Sequence, residues 1–543
     1  MERRTLALWI VGVGTLLGLL GNVLFYGQRV GLSFPLFVLA IIGVVLASSK
    51  PARRVPRVRN LWLLLPLGFF AFMVAIRADE NILFLDVLAV MALGGLTLHY
   101  LPLDEFIDTQ PLINHVRAVL EAGLYLLPGP GAEIGDSWRW LRDRHLDDRQ
   151  ALVSIVRGLA FAVPVILVFA LLLGSADLVF AKYLDRVWQV FTFQNVDDIF
   201  GRGLTTFVLG WAATGALAYG LARREVRPQL HPSTRTAIAG NEFQLIDDEE
   251  DETAAEVPKR RAKPLRLGMI EAGIILGSID LLFGVFVLIQ FTYFFGGQAN
   301  IGDGLTFAEY ARRGFFELVA VSVLTLGLVL FMDWVTVREG KRQGRVFQAL
   351  AVVIIALTAV MLFSASQRMS LYETQFGFTH LRLYTHVFMV WLGVLFGFFL
   401  LALFRLRLHV FSLGVLIATI GYLGTLNLID IDSYIAGHNI DRYHQGYELD
   451  TCYLGALSDD AVPALVGLYQ TAPVESDVFR WVGWELNRRL HSLDRMHEAE
   501  GTSVFALNAG REGAWSLLDG LRDDLESHQE SWGYESCNYR MRQ

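Results

Sequence analysis

The residue type that first suggests chemistry is a carboxyl group in the middle of an apolar stretch. Asp280 lies within Met269 to Phe295, MIEAGIILGSIDLLFGVFVLIQFTYFF, a run long enough to cross a bilayer. At that depth a carboxylate costs about 2.5–3.5 kcal/mol or more, so it is paired, protonated or wetted. As chemistry this means a proton or cation coupling site, or a polar anchor in a substrate path. The structural alternative is a carboxyl hydrogen-bonded to Ser, Thr or backbone of a neighbouring helix. Gly273, Gly277 and Gly284 on the same stretch form a small-residue pattern that predicts a closely packed neighbour. Glu271 stands near the start of the run, at the expected depth of Arg157 on another one, and the two read as an ion pair in the bundle interior.

A second group is expected at the outer mouth. Arg382 and His386 are four apart in THLRLYTHVF (379–388), so they share a helix face. Glu317 matches their depth on another span, and Gln290 lies in the outer half of its own. With Gln367, Arg368 and Glu373 nearby, this polar cluster suits ligand binding or docking of the tail; interfacial residues that only orient helices would look the same. His386 has no second His or carboxylate at ligand spacing on its own helix, so no metal site is expected there. A third group opens the tail: Asn427, Asp430, Asp432 and then HNIDRYHQGYELD (438–450). His438, Asp441, His444, Glu448 and Asp450 fit no closed metal-site spacing. They are expected to fix the tail against the membrane surface, with Arg442 and Tyr443 as anchors. No catalytic residue, metal or cofactor is assigned. The chain carries no phosphate-binding or dinucleotide glycine motif, no HExxH and no GxSxG, and nothing supports nucleic-acid binding.

The elements that must position these groups follow from composition. Of 543 residues, 54% are hydrophobic and 18% charged, and mean hydropathy is +0.43, which points to a membrane protein. Apolar runs fall near 5–26, 31–48, 61–77, 82–100, 151–173, 203–222, 268–295, 315–336, 346–366, 381–404 and 408–429. The expected fold is an all-α polytopic transmembrane bundle of about eleven spans with a small helical extracytoplasmic C-terminal domain. The run from Thr5 to Tyr26 is too long for a signal-peptide core and reads as the first anchor helix. The chain then divides into 1–100 (four spans), 101–150 (a cytoplasmic interfacial segment), 151–222 (spans five and six), 223–266 (a charged loop), 267–429 (spans seven to eleven) and 430–543 (the soluble domain).

Arginine placement sets the expected orientation. Lys50, Arg53, Arg54, Arg57 and Arg59 follow span two, and Arg223, Arg224, Arg227, Lys259, Arg260, Arg261, Lys263 and Arg266 lie between spans six and seven. Arg338, Lys341, Arg342 and Arg345 follow span eight, and Arg405 and Arg407 separate spans ten and eleven. The alternate loops are sparser in basic residues, with Arg29 in the first, Arg77 in the second and Arg368 in the last, so the N-terminus is expected inside and the tail outside, in a bacterial inner (plasma) membrane. Segment 101–150 is expected to lie on the cytoplasmic face, its amphipathic DSWRWLRDR (136–144) holding Trp138 and Trp140 at headgroup level. The loop 223–266 carries DDEEDE (247–252) and KRRAK (259–263), and reads as a disordered tether with a short contact site at most. Partners are thus the lipid bilayer and a protein bound through the tail or this loop.

The tail patterns as helices over 461–470, 478–493 and 503–525, with Ser458 as a capping candidate. Outside the cytoplasm, Cys452 and Cys537 are expected to pair as a disulfide, buried free thiols being the alternative.

SQRMSLYETQFGFTHLRLYTHVFMVWLGVLFGF (366–398) and NIDRYHQGYELDTCYLGALSDDAVPAL (439–465) resemble a bacterial family of multi-pass membrane proteins known as a domain of unknown function. The resemblance rests on an Arg-Leu-Tyr helix after a tight turn, an Asn-x-x-Arg-Tyr segment and the Asp-Ala-Val-Pro-Ala-Leu run. Phe376-Gly-Phe-Thr here replaces a Tyr-Gly-Leu-Thr-like turn. It covers about a third of the chain, implies a bacterial inner or plasma membrane protein, and supplies no catalytic residues. Three functions follow as expectations: a non-enzymatic partner-binding, sensing or scaffold component; an ion-coupled transporter using Asp280; and a membrane-embedded enzyme acting at the outer face around Glu317, Arg382, His386 and 438–450.

Overall fold

A computed structural model of the chain describes residues 3–49, 58–100, 106–144, 196–222, 267–295, 315–405, 408–500 and 503–528. All regular structure among the described residues is helical. α1 (Arg3–Phe25), α2 (Ser33–Ser49), α3 (Leu64–Met73) and α4 (Glu80–Tyr100) lead into α5 (Leu112–Tyr125) and α6 (Gly129–Arg144). α7 (Val196–Leu217), α8 (Met269–Phe295), α9 (Phe315–Val335), α10 (Lys341–Phe376), α11 (His380–Arg405) and α12 (Leu408–Ile429) follow. The tail holds α13 (Ile431–His444), α14 (Thr451–Gly455), α15 (Val462–Thr471), α16 (Asp477–Glu500), α17 (Ala509–Asp519) and α18 (Arg522–Leu525).

Eight of these helices, α1, α4 and α7 to α12, have a stretch long and apolar enough to cross a membrane. α2 and α3 are apolar but shorter. The expected span over 61–77 divides into a 3-10 stretch, Val58–Leu63, and α3. The expected span over 151–173 and the loop 223–266 lie outside the described residues. The expected interfacial segment forms two helices, α5 and α6; the side chains of Trp138 and Trp140 lie outside the described residues.

Packing explains several small residues. α1 lies against α7, and a Cβ on Gly18 would come within 2.5 Å of the Thr206 carbonyl, so only hydrogen fits there. α8, α9, α10 and α11 share a core of Leu276, Val329, Phe347, Ile354, Leu392 and Phe396. At the other end of α4, the Tyr100 hydroxyl meets His115 of α5 at 3.0 Å, and Tyr219 bonds His99 at 2.7 Å.

The tail is not a separate bead. Its own core gathers Leu454, Leu465, Leu468, Trp481, Val482, Leu486, Leu490 and Leu518. A second core is shared with the bundle: Ile82 of α4, Leu383 and Val387 of α11 and Leu426 of α12 pack with Ile431, Ile435, Leu457 and Ala461. The expected helices over 461–470 and 478–493 are α15 and α16, the latter running on to Glu500. The expected helix over 503–525 is broken into a 3-10 turn (Val504–Ala506), α17 and α18. The cause is docking: Leu507 O accepts from Leu32 N–H at 2.9 Å, and Asn508 caps α17 through the Arg511 amide at 3.1 Å. Chain committed to the bundle cannot also turn as helix.

Candidate functional site

The richest polar grouping lies where the tail meets the bundle (the tail face). The short loop between α3 and α4 is held by the tail. Ala509 and Gly510 donate their amides to the carbonyls of Ala75 and Ile76 at 2.8 and 2.9 Å. The Asn508 amide group donates to Val74 and Arg77 carbonyls at 3.2 and 2.8 Å. Asp460, from the Asp-Ala-Val-Pro-Ala-Leu run, accepts Ala78 and Asp79 N–H at 2.8 and 3.3 Å on one carboxylate oxygen. Buried backbone that would otherwise lack partners is thereby satisfied.

Asp79 ends this loop and begins α4. Its Oδ1 accepts Asn81 N–H at 2.9 Å, an N-cap bond that holds the carboxyl in place. Its side chain is 6% exposed, and Oδ2 has no hydrogen-bond partner among the described residues. That oxygen lies 4.0 Å from Nε2 of His380, the first residue of α11. The same Nε2 meets Oδ1 of Asp432, in the first turn of α13, at 2.5 Å. On the other side of the ring, Nδ1 meets the Tyr453 hydroxyl at 3.0 Å, and that hydroxyl accepts His380 N–H at 2.8 Å. Asp432 Oδ2 accepts Ser458 N–H at 2.7 Å. These bonds fit a ring whose Nε2 donates its proton to Asp432; burial opposes charge on the ring, but Asp432 and then Asp79 outweigh it and raise His380 above the ordinary histidine value.

Around this core, Arg77 pairs with Asp430 and donates to the Asn427 carbonyl at 2.5 Å. Asn427 donates to Asp86 at 2.7 Å. Asp430 joins α12 to α13 in the left-handed region, φ 59°, a conformation that costs a residue other than glycine about 1 kcal/mol or more. It turns the chain sharply from membrane helix to tail helix.

The electrostatics differ from one carboxyl to the next. Burial, then the charge of Asp432, pushes Asp79 above the usual carboxylate range. Burial raises Asp430 against the pull of Arg77. Asp460 is pushed up to about 7 by burial and by Asp430. Asp432 is the most enclosed by neighbours that favour charge: burial opposes ionisation, but hydrogen bonds from His380 and Ser458 outweigh it and hold the group below the usual range.

The expected outer-mouth cluster is distributed differently. His386 Nδ1 meets Glu373 at 3.1 Å, and Nε2 meets the Ser366 hydroxyl at 3.1 Å. Arg382 donates to the Phe376 carbonyl at 3.1 Å and to that of Gly377, and lies over the Tyr372 ring at 4.2 Å. Both residues thus brace the turn between α10 and α11. Glu317, in the first turn of α9, is exposed, and no hydrogen bond or ion pair among the described residues joins it to them. The side chain of Gln290 lies outside the described residues.

The family-like motifs find physical roles at that turn. Asn439 accepts Phe378 N–H at 2.8 Å and donates to the Phe378 carbonyl at 3.0 Å. Arg442 donates to the carbonyls of Thr374 and Gln375 at 2.9 and 2.7 Å. Gly377 has φ +80°, and a Cβ there would sit 2.5 Å from Asn439 Oδ1, so the turn requires glycine twice over.

Asp280 stands alone by comparison. Both its carboxylate oxygens are buried with no hydrogen-bond partner among the described residues. A Cβ on Gly273, Gly277 or Gly284 would meet nothing within 4 Å among the described residues. Glu271 accepts Gly268 N–H and so caps the start of α8; Arg157 lies outside the described residues. Cys452, on α14, is not free, and Cys537 lies outside the described residues.

Of the junction residues, sequence reasoning singled out Asp430, Asp432 and Asn427 but passed over Asp79, His380 and Asp460. The available signal was positional: Asp79 and His380 both open apolar runs whose starts face the same side if spans alternate. Among the described residues, Asp79, His380 and Asp432 form the one set of three His, Cys or acidic side chains within cation reach, their ligand atoms within 4.8 Å of one another.

With eight membrane-length apolar helices, a docked helical tail and helices as the regular structure among the described residues, the chain is a multi-pass membrane protein. More particularly, residues 64–468, about three-quarters of the chain, match the family described as Domain of unknown function (DUF4153), and the chain belongs to it. That match is far longer than the third of the chain on which the resemblance was read. No curated protein and no solved structure matches the chain.

Proposed function

We propose that the chain is a non-enzymatic component of a bacterial inner membrane, with a cytoplasmic N-terminus and an extracytoplasmic tail that receives a protein partner or signal. The bundle anchors the tail and relays its state. The arginine-rich loops support this sidedness. The observation that carries the reading is the welded junction: Asp460, Asn508, Ala509 and Gly510 bind the α3–α4 loop, and Asn439 and Arg442 bind the α10–α11 turn. A tail tied at two separate points moves only with the helix ends beneath it, as a receiver must. In this reading Cys452 and Cys537 form a disulfide that braces the tail, as expected in an oxidising compartment.

A photo-crosslinking residue in place of Val474, 72% exposed on the tail, tests the reading in cells. A discrete adduct is expected, weakened when the junction is cut by Asp460→Ala. Cys452 and Cys537 should react with a membrane-impermeant thiol reagent only after mild reduction. Labelling from the cytoplasmic side alone would overturn the orientation, and absence of any adduct would overturn the partner.

The second reading is a transporter coupled through Asp280. It is favoured by the two unpartnered carboxylate oxygens of that residue, at the middle of α8. Loss of ion-coupled uptake in Asp280→Asn, with the adduct intact, would establish it over the first.

A further inference from the structure

The junction holds more acidic groups than cationic partners. Asp79, Asp430, Asp432 and Asp460 crowd the interface, while Arg77 is committed to Asp430. His380 stands between two of the others, bonded to Asp432 and facing Asp79 across 4.0 Å. A buried carboxylate oxygen without a partner normally costs a desolvation penalty of about 1–3 kcal/mol or more. Asp79 Oδ2 is such an atom, on a side chain only 6% exposed, and its other oxygen is fixed by Asn81 so that this one points to the His380 ring. Tyr384, one turn along α11 from His380, likewise has a buried hydroxyl with no partner among the described residues.

We propose that Asp79, His380 and Asp432 bind one divalent first-row transition-metal cation of the Zn2+ or Mn2+ class, which clips the tail to the ends of two membrane helices. The donor set is one imidazole nitrogen and two carboxylate oxygens. Imidazole selects for transition metals over Mg2+ and Ca2+, and the carboxylates keep Mn2+ and Zn2+ both within range. Metal–ligand bonds of about 2.0–2.2 Å in tetrahedral geometry place ligand atoms roughly 3.4 Å apart. The three atoms lie within 4.8 Å of one another, so side-chain shifts of about an ångström shared among them close the set. On binding, Nε2 exchanges its hydrogen bond to Asp432 for the metal, and Nδ1 takes the ring proton and donates it to Tyr453. That outer bond then orients the ligand. Each ligand comes from a different part of the fold: the α3–α4 loop, the start of α11, and the tail helix α13. Three protein ligands leave a coordination position open.

The site goes beyond the partner reading and does not depend on it, since it is measured on the purified chain alone. Full-length protein in detergent or nanodiscs is stripped with a chelator, then titrated with Zn2+ and Mn2+ by calorimetry and with Co2+ by visible absorption. One equivalent per chain is expected, with a d–d spectrum of a nitrogen–oxygen site and a rise in Tm of several degrees. Asp79→Asn and His380→Gln should each weaken binding at least tenfold and abolish the metal-dependent rise in Tm, whatever their melting point in chelator. Should Asp79→Asn misfold, His380→Gln carries the same test. Absence of saturable binding in the wild type, or binding unchanged in both variants, overturns the proposal. Neither result bears on whether the tail binds a partner, which the Val474 adduct reports.

Discussion

Asp280 and the Asp79–Asp432–Asp460 group are both buried acidic features of one bundle, and they could hardly be housed more differently. Asp280 sits mid-helix with no hydrogen bond to either oxygen among the described residues. At the junction, by contrast, Asp460 receives two backbone amides, Asp432 receives an imidazole and an amide, and Asp79 caps a helix with one oxygen. Depth alone does not give a buried carboxyl its role. What decides is whether the fold brings donors to it. Donors at the junction come from segments far apart in the chain, so cutting one connection loosens the contact of two regions.

The largest effect that would sharpen the contrast lies just behind the junction. Arg489 is 5% exposed, bonds Glu485 at 2.7 Å and donates to the carbonyls of Leu457 and Ser458, the segment that presents Ser458 N–H to Asp432. Arg489→Met should cost about 3 kcal/mol by stranding those carbonyls and leaving the buried Glu485 with Arg488 as its one remaining cation among the described residues. The tail should become protease-sensitive while the bundle remains folded.

Next comes the weld itself. Asp460→Ala removes the acceptor of the Ala78 and Asp79 amides, for an expected cost of about 2 kcal/mol and roughly thirtyfold faster hydrogen exchange at those two sites. Exchange left unchanged would mean the loop holds its shape without the tail, and the contrast with Asp280 would lose its basis.

A surface carboxylate supplies the control. Asp494 on α16 is held down to about 2 by hydrogen bonds from Arg522 and Trp515. Because its folded value lies below the unfolded one of about 3.9, it contributes stability above pH 4 that is lost as pH falls towards 2. Solvent screens this partly exposed pair, so Asp494→Asn should lower Tm by about a degree or two at pH 7 and remove that acid step.

Smallest of all should be Asp280→Asn. With no partner among the described residues to lose, it is expected to leave Tm within about 1 °C or raise it slightly, measured by a thermal melt in nanodiscs. A cost equal to that of Asp460→Ala would break the comparison.

Much of the architecture was readable from composition because membrane helices announce themselves. A run such as His409 to Ile429 has the length and hydropathy that hydrocarbon demands of a spanning helix. The tail helices α15 and α16 were legible for a related reason, the recurrence of Leu465, Leu468, Leu486, Leu490 and Leu493 at helical spacing. The site was only half visible. Asp430 and Asp432 drew notice as acids at a helix exit, whereas Asp79 looked like an ordinary polar residue between two spans. In THLRLYTHVF the four-residue spacing of Arg382 and His386 was conspicuous, yet the residue that reaches the junction is His380, two positions ahead of Arg382. Its partners are 52 residues later and about 300 earlier in the chain, and local spacing carries no information about contacts of that kind. The sequence pattern also hid the break after Val504–Ala506, since an amphipathic run looks continuous until tertiary docking claims its backbone.

α10 is far longer than a bilayer requires. α10 has 36 residues, so at about 1.5 Å per residue it is a rod of roughly 54 Å, while the hydrocarbon layer is only about 30 Å thick. It begins at Lys341 and ends under the grip of Asn439 and Arg442, so part of the surplus stands above the lipid as a post beneath the tail. A bilayer of different thickness would be met by tilting that post. The tail would be pulled with it, because one of its two fastenings is to the post.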